Sequence, residues 1–138
     1  MARTVADVMT RDPASVEAEQ PVAVAAALMR DIDAGAVIVN ENGRIQGIVT
    51  DRDIAVRVVA DDKGPETPVR EACSASVEAV GPDTEIDQAV QLMRTHAVRR
   101  LPVVEDGRAI GIVSLGDLAM ERDQNSALAD ISAAEGNR

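Results

Sequence analysis

The sequence predicts an α+β protein built from two copies of one unit, each running strand, helix, strand, strand, helix. Two observations carry this. Gly43-Arg44-Ile45-Gln46-Gly47-Ile48-Val49-Thr50-Asp51-Arg52-Asp53-Ile54 recurs as Gly107-Arg108-Ala109-Ile110-Gly111-Ile112-Val113-Ser114-Leu115-Gly116-Asp117-Leu118. Within each copy the apolar spacing also switches between helical and strand periods, with turn residues at the switches. The chain has 138 residues, enough for a shared core, whereas about 60 residues alone would be marginal.

In the first copy, Ser15-Val16 reads as a short extended piece. Pro21 suits a first helical position, and Val22, Ala25, Leu28, Met29 and Ile32 then repeat at helical spacing. Ala36-Val37-Ile38-Val39 and residues 45–49 form two strands around an Asn42-Gly43 turn, because both residues of such a turn need the left-handed backbone that Asn and Gly accept. A second helix is expected over about 51–60.

The second copy follows the same order. Ser76-Val77 is the extended piece, and Asp83 or Thr84 caps a helix carrying Ile86, Val90, Met93 and Ala97. Leu101-Pro102-Val103-Val104 and residues 109–113 flank an Asp106-Gly107 turn, and a helix follows from about Leu115. The repeat extends upstream: Val5-Ala6-Asp7-Val8-Met9-Thr10 answers Val69-Arg70-Glu71-Ala72-Cys73-Ser74, and Ser15-Val16-Glu17-Ala18 answers Ser76-Val77-Glu78-Ala79. The offset then reads 64, 61 and 64 again from Met29/Met93, as if one loop had lost three residues and the next had gained three.

The domain reading is therefore residues 4–60 as the first repeat and 69–123 as the second. Residues 61–68, polar and broken by Gly64, Pro65 and Pro68, are the linker, and 124–138 form a polar tail.

Composition excludes several function classes. Lys+Arg number 14 against 24 Asp+Glu, a net charge of -10, which opposes a nucleic-acid or anionic-membrane partner. No apolar run approaches the roughly 20 residues of a membrane span, and the N-terminus lacks a signal-peptide layout, so the cytoplasm is the expected compartment. There is no Phe, Tyr or Trp, so a planar ligand would lie between aliphatic side chains rather than stack on rings. Cys73, the single cysteine, stands where Met9 stands in the first copy and reads as a small buried apolar residue. His96, the single histidine, reads as a helix-end residue. No metal-ligand cluster, phosphate loop or nucleophile motif is present, so an enzyme is not expected.

The Gly-Ile-Val-Thr-Asp-Arg-Asp-Ile string, Arg99-Arg100-Leu101-Pro102-Val103-Val104 and the Val-x-x-x-Met-Thr opening resemble a tandem pair of cystathionine β-synthase (CBS) domains, the Bateman module, over roughly residues 4–123. The resemblance implies regulation: such pairs bind adenosine-containing ligands, such as AMP, ADP, ATP or S-adenosylmethionine, in the cleft between copies and signal to a partner. None of these is a catalytic cofactor. It places Thr50 with Asp53, and Ser114 with Asp117, on ribose hydroxyls. By position it gives adenine to the backbone around Val16 and Val37 in one copy, and Val77, Leu101 and Pro102 in the other. Arg52, Arg57, Arg99 and Arg100 are the candidate phosphate cations, since guanidinium forks suit phosphate oxygens.

Chemistry suits the ribose role, because a carboxylate can accept from both vicinal hydroxyls. The same spacing is also a capping box, with both side chains spent on backbone N–H groups. Both readings stay open from sequence, and so do two functions: an adenine-nucleotide sensor, or a ligand-free dimerising scaffold. Where the second copy has Arg99 and Arg100, the first has Gly35 and Ala36, with Asp33 nearby. This predicts unequal sites, with the Asp53 site empty or tuned to a less charged ligand. A homodimer is expected under either function, through the apolar surface of Ile54, Ala55, Val58 and Val59, with the output passing to an unknown effector protein.

Overall fold

The structure, a computed structural model, describes residues 4–73 and 78–122. In chain order its elements are β1 (Thr10–Arg11), β2 (Ser15–Glu17), α1 (Val22–Ile32), β3 (Ala36–Glu41), β4 (Arg44–Thr50), α2 (Asp51–Ile54) continued by a π-helical turn over Ala55–Val59, α3 (Ile86–His96), β5 (Arg100–Glu105), β6 (Arg108–Ser114) and α4 (Leu115–Arg122). Short 3-10 turns occupy Val5–Asp7 and Val69–Glu71. The mixture of helices with two small sheets is the α+β class expected. The described residues group into two compact units, one within residues 13–77 and the other within residues 1–12 and 78–138.

In the 13–77 unit the sheet order is β2-β3-β4, with β2 parallel to β3 and β3 antiparallel to β4. The hairpin turn is Asn42-Gly43 at φ 54° and 77°, the left-handed pair that the sequence required. Pro21 lies one place earlier than expected: it is the extended residue before α1, with φ -62° and ψ 145°. The helix buries Val22, Ala25 and Met29, three positions of one helical stripe. Ile32, expected on that stripe, is exposed at the helix end, where Asp33 turns left-handed at φ 54°. Val58 is buried in this unit's core and Ile54 packs against it. Of the surface expected to mediate dimerisation, Val59 stays 68 % exposed.

In the other unit the sheet order is β1-β6-β5, antiparallel throughout. Asp106-Gly107 repeats the left-handed turn at φ 55° and 79°. Helix α3 buries Ile86, Ala89 and Met93. Its cap is Glu85, whose N–H donates to Gln88 Oε1 at 3.2 Å. The expected caps act elsewhere or not at all: Thr84 Oγ1 accepts from Gly81 N–H, in the loop before the helix. Ala97 is exposed and left-handed, past the helix end.

Val80 forms a parallel bridge with Val103, as Val16 pairs with Val39. Both partners are displaced by 64 residues, so the offset is constant and the three-residue slip read from Ser15/Ser76 does not exist. The counterpart of Val16 is Val80. Val77, the strand expected at Ser76-Val77, and the tail 124–138 lie outside the described residues.

The units do not coincide with the sequence repeats, because each repeat's opening segment completes the other unit. Val5 N–H donates to Thr84 O at 2.9 Å and Ala6 N–H to Pro82 O at 3.3 Å. Sixty-four residues later, Val69 N–H donates to Gln20 O at 2.8 Å and Arg70 N–H to Ala18 O at 2.9 Å. Val5 belongs to the core of Ile86, Met93, Leu101 and Leu118, and Val69, Ala72 and Cys73 belong to that of Val16, Val22 and Val49. Both valines are 0 % exposed, burial worth about 1.5–3 kcal/mol each.

Candidate functional site

Each unit has one place where a strand runs directly into a helix. At the end of β4, Thr50 is extended at φ -113° and ψ 164°, and Asp51 begins α2. Strand pairing sets Thr50 opposite Ala36, and Asp51 N–H donates to Gly35 O at 2.9 Å. In the other unit Ser114 is opposite Arg100, and Leu115 N–H donates to Arg99 O at 2.8 Å. The junction is thus pinned at both its ends by backbone bonds, which fixes the first helical turn.

At each junction the hydroxyl–carboxylate pair forms a reciprocal capping box. Thr50 Oγ1 accepts from Asp53 N–H at 3.0 Å, and Thr50 N–H donates to Asp53 Oδ2 at 2.9 Å. Ser114 Oγ accepts from Asp117 N–H at 3.1 Å, and Ser114 N–H donates to Asp117 Oδ2 at 3.0 Å. The four residues are half-buried. The capping chemistry therefore operates in the structure. It occupies one oxygen of each carboxylate with a backbone bond, and a carboxylate has roughly four lone-pair sites.

The surroundings differ in charge. Asp53 Oδ1 stands 4.0 Å from Arg57 Nε, an i,i+4 pair on a side chain half in solvent, so its Coulombic worth is small. The position 64 residues beyond Arg57 is Glu121. Arg52 is exposed beside Asp53, and Arg99 is exposed and Arg100 half-buried at the start of β5. The candidate cations thus lie on the helix in one unit and at or just before the start of β5 in the other.

Of the residues placed near adenine, Val16, Val37, Leu101 and Pro102 all bury their side chains. Pro102 O already accepts Val80 N–H at 3.0 Å. His96 Nε2 is 3.6 Å from Glu78 Oε1 at the end of α3. Among the described residues no cluster of three or more His, Cys, Asp or Glu is placed to hold a metal, and no helix is long and apolar enough to cross a membrane.

Cys73 is buried in the core of the 13–77 unit, and its thiol donates to Arg70 O at 3.7 Å. Burial pushes its pKa up, and the Asp53 charge adds to this, while the backbone of Cys73 itself and Arg57 pull it down. Cys73 is thus within electrostatic reach of the Asp53–Arg57 pair. Sequence reasoning missed this neighbour, because it belongs to the other repeat and arrives only through the exchange of opening segments.

The α+β unit is duplicated, with the same hydroxyl–carboxylate frame at its two strand–helix junctions and charges that differ around it. The chain belongs to the CBS domain family, whose model matches residues 5–60 and 69–123. It is 41 % identical over 133 residues to the CBS domain-containing protein YhcV of Bacillus subtilis, covering 94 % of this chain and 95 % of that one. A protein with CBS domains from Burkholderia ambifaria superposes with a TM-score of 0.81 at 34 % identity, covering 89 % of this chain and 96 % of that structure. The hexameric CBS-CP12 protein from bloom-forming cyanobacteria superposes with a TM-score of 0.78 at 28 % identity, over 89 % of this chain and 74 % of that one. CBS domain proteins are generally regulatory rather than catalytic, and the CBS pair is a regulatory module that commonly binds ligands.

Proposed function

We propose that this protein senses an adenosine-containing nucleotide, AMP, ADP, ATP or S-adenosylmethionine, and passes the signal to an effector protein. The observation that carries the reading is the state of the two carboxylates. Asp53 and Asp117 are held by the Thr50 and Ser114 N–H groups through Oδ2 alone, so a ribose diol has the other oxygen to address without dismantling the cap. At the 13–77 unit, ribose binding displaces Arg57 from Asp53 Oδ1 and frees its guanidinium for an anion.

In this reading Thr50 with Asp53, and Ser114 with Asp117, orient the ribose, while Arg52, Arg57, Arg99 and Arg100 supply the cations for phosphate. The backbone around Val16 and Val37, and around Leu101 and Pro102, edges the adenine. Arg100 of β5 pairs directly with Ser114 of β6, which favours the Ser114–Asp117 site for the more anionic ligand. The signalling form is a homodimer, supported by the exposed Val56 and Val59 and by the assembly of the hexameric relative.

The test is a thermal-shift panel of AMP, ADP, ATP, S-adenosylmethionine and NADH with an extrinsic dye. A ligand at 100 times its Kd adds about 2.7 kcal/mol of apparent stability. A shift for one adenosine ligand, lost in Asp117→Ala or Asp53→Ala, supports the reading. A flat panel on folded protein refutes it.

A further inference from the structure

The exchange of opening segments has a geometric consequence at the two junctions. Residues 4–11 end in β1, which pairs with β6 at Thr10↔Ile112 and Arg11↔Gly111, two and three residues before Ser114. Met9 packs on the same strand: a Cβ at Gly111 would collide with its Sδ and sit 3.0 Å from Thr10 O. Residues 68–73 carry Val69 and Cys73 into the core that contains Val49, the residue before Thr50, and Val58 on the helix that Thr50 caps. Each segment therefore lies against the strand or helix that forms the junction of a unit otherwise built from the other repeat.

We propose that the two opening segments are cross-repeat clasps: residues 4–11 of the first repeat hold closed the Ser114–Asp117 junction, and residues 68–73 of the second hold closed the Thr50–Asp53 junction. Each repeat then controls the stability of the candidate site that the other repeat supplies. The control runs through backbone bonds at both valines' amides and through one fully buried side chain each, Val5 and Val69. The end of the first clasp is fixed as well: Asp12 N–H donates to Ile110 O at 3.3 Å. The raised pKa of Cys73, to which Asp53 contributes, fits a second clasp seated beside its junction. The inference goes beyond the nucleotide reading, since it concerns what stabilises the junctions whether or not a nucleotide is the signal.

The experiment is hydrogen exchange by mass spectrometry on the full chain, comparing wild type, Val5→Ala and Val69→Ala. Val5→Ala is expected to speed exchange about tenfold or more in residues 86–118 while leaving 16–58 within about twofold of wild type. Val69→Ala is expected to do the reverse, and to speed reaction of the native Cys73 thiol with a disulfide reagent. If either variant fails to fold, the isosteric Val5→Thr or Val69→Thr is read for the same pattern. The proposal is overturned if Val5→Ala loosens its own sequence repeat, 16–58, or if either variant loosens both units equally.

Discussion

Replacing Asp117 by alanine, and separately by asparagine, divides the cap from the charge. Alanine removes the Oδ2 that accepts Ser114 N–H at 3.0 Å, a capping contribution of about 1 kcal/mol. It also removes a negative charge from the first turn of α4, worth about 0.5 kcal/mol for a half-buried group. The sum of about 1.5 kcal/mol lowers Tm by about 6 °C at roughly 4 °C per kcal/mol for a chain of this size. Asparagine keeps an acceptor oxygen for Ser114 N–H and loses only the charge, so its Tm falls by about 2 °C. Unfolding is followed by far-UV circular dichroism, since no Tyr or Trp reports it. Nucleotide affinity is measured by calorimetry and falls tenfold or more in Asp117→Ala, because a vicinal diol loses its charge-assisted acceptor. Equal Tm losses in the two variants would refute the capping account. A wild-type nucleotide affinity in Asp117→Ala would refute the ribose assignment while leaving the cap intact.

Two further outcomes follow from the packing. Gly111→Ala places a methyl against Met9 and Thr10 O, an overpacking cost of about 1–3 kcal/mol. Met9→Ala in the same chain recovers part of it in a double-mutant cycle by chemical denaturation, and strictly additive losses would show that Met9 does not cover Gly111. Cys73 gives stability an alkaline dependence whose sign is fixed by its raised pKa: the folded thiol keeps its proton after the unfolded one loses it, so stability is flat below about pH 9 and falls above it. Denaturant midpoints across pH 8–10.5 should decline in wild type and stay flatter in Cys73→Ala, and identical slopes would refute the burial account.

Much of the fold was legible because its signals are local. Asn42-Gly43 and Asp106-Gly107 dictate two left-handed residues whatever surrounds them, and the hairpins followed. The hydroxyl–acid pairs at Thr50/Asp53 and Ser114/Asp117 were legible as frames, since a capping box is a property of four consecutive residues. Two features misled. Ser15-Val16-Glu17-Ala18 and Ser76-Val77-Glu78-Ala79 share four residue types, and that identity outweighed the weaker match of Val16 to Val80. Pairing decides the matter, because only Val80 stands opposite Val103 as Val16 stands opposite Val39. Thr84 looked like a cap, but its hydroxyl closes the preceding loop on Gly81 N–H, leaving Glu85 and Gln88 to start the helix. The exchange of opening segments had no local signal at all. Val5 is needed by Ile86 and Leu118 rather than by its sequence neighbours, and no periodicity records which of two equivalent cores a segment enters.

The duplication lets the two copies be compared position by position at a constant displacement of 64 residues. Core positions keep their kind: Val5 and Val69, Val16 and Val80, Ala25 and Ala89, Met29 and Met93, Val39 and Val103, Val49 and Val113 are matched and buried. The junction keeps its geometry too, with the four capping bonds between 2.9 and 3.1 Å. Charge around the junction is what changes. Gly35 and Ala36 become Arg99 and Arg100, Asp51 and Arg52 become Leu115 and Gly116, and Arg57 becomes Glu121. A core change of one methylene costs about 1 kcal/mol, whereas an exposed charge reversal costs a fraction of that, so stability constrains the first set and leaves the second free. What the second set does alter is the electrostatic potential offered to a ligand. Arg99 and Arg100 stand at the start of β5 beside the Ser114–Asp117 junction, while at Thr50–Asp53 Arg57 lies 4.0 Å from the carboxylate. One scaffold thereby carries two differently charged junctions, and the difference lies in residues outside the matched core.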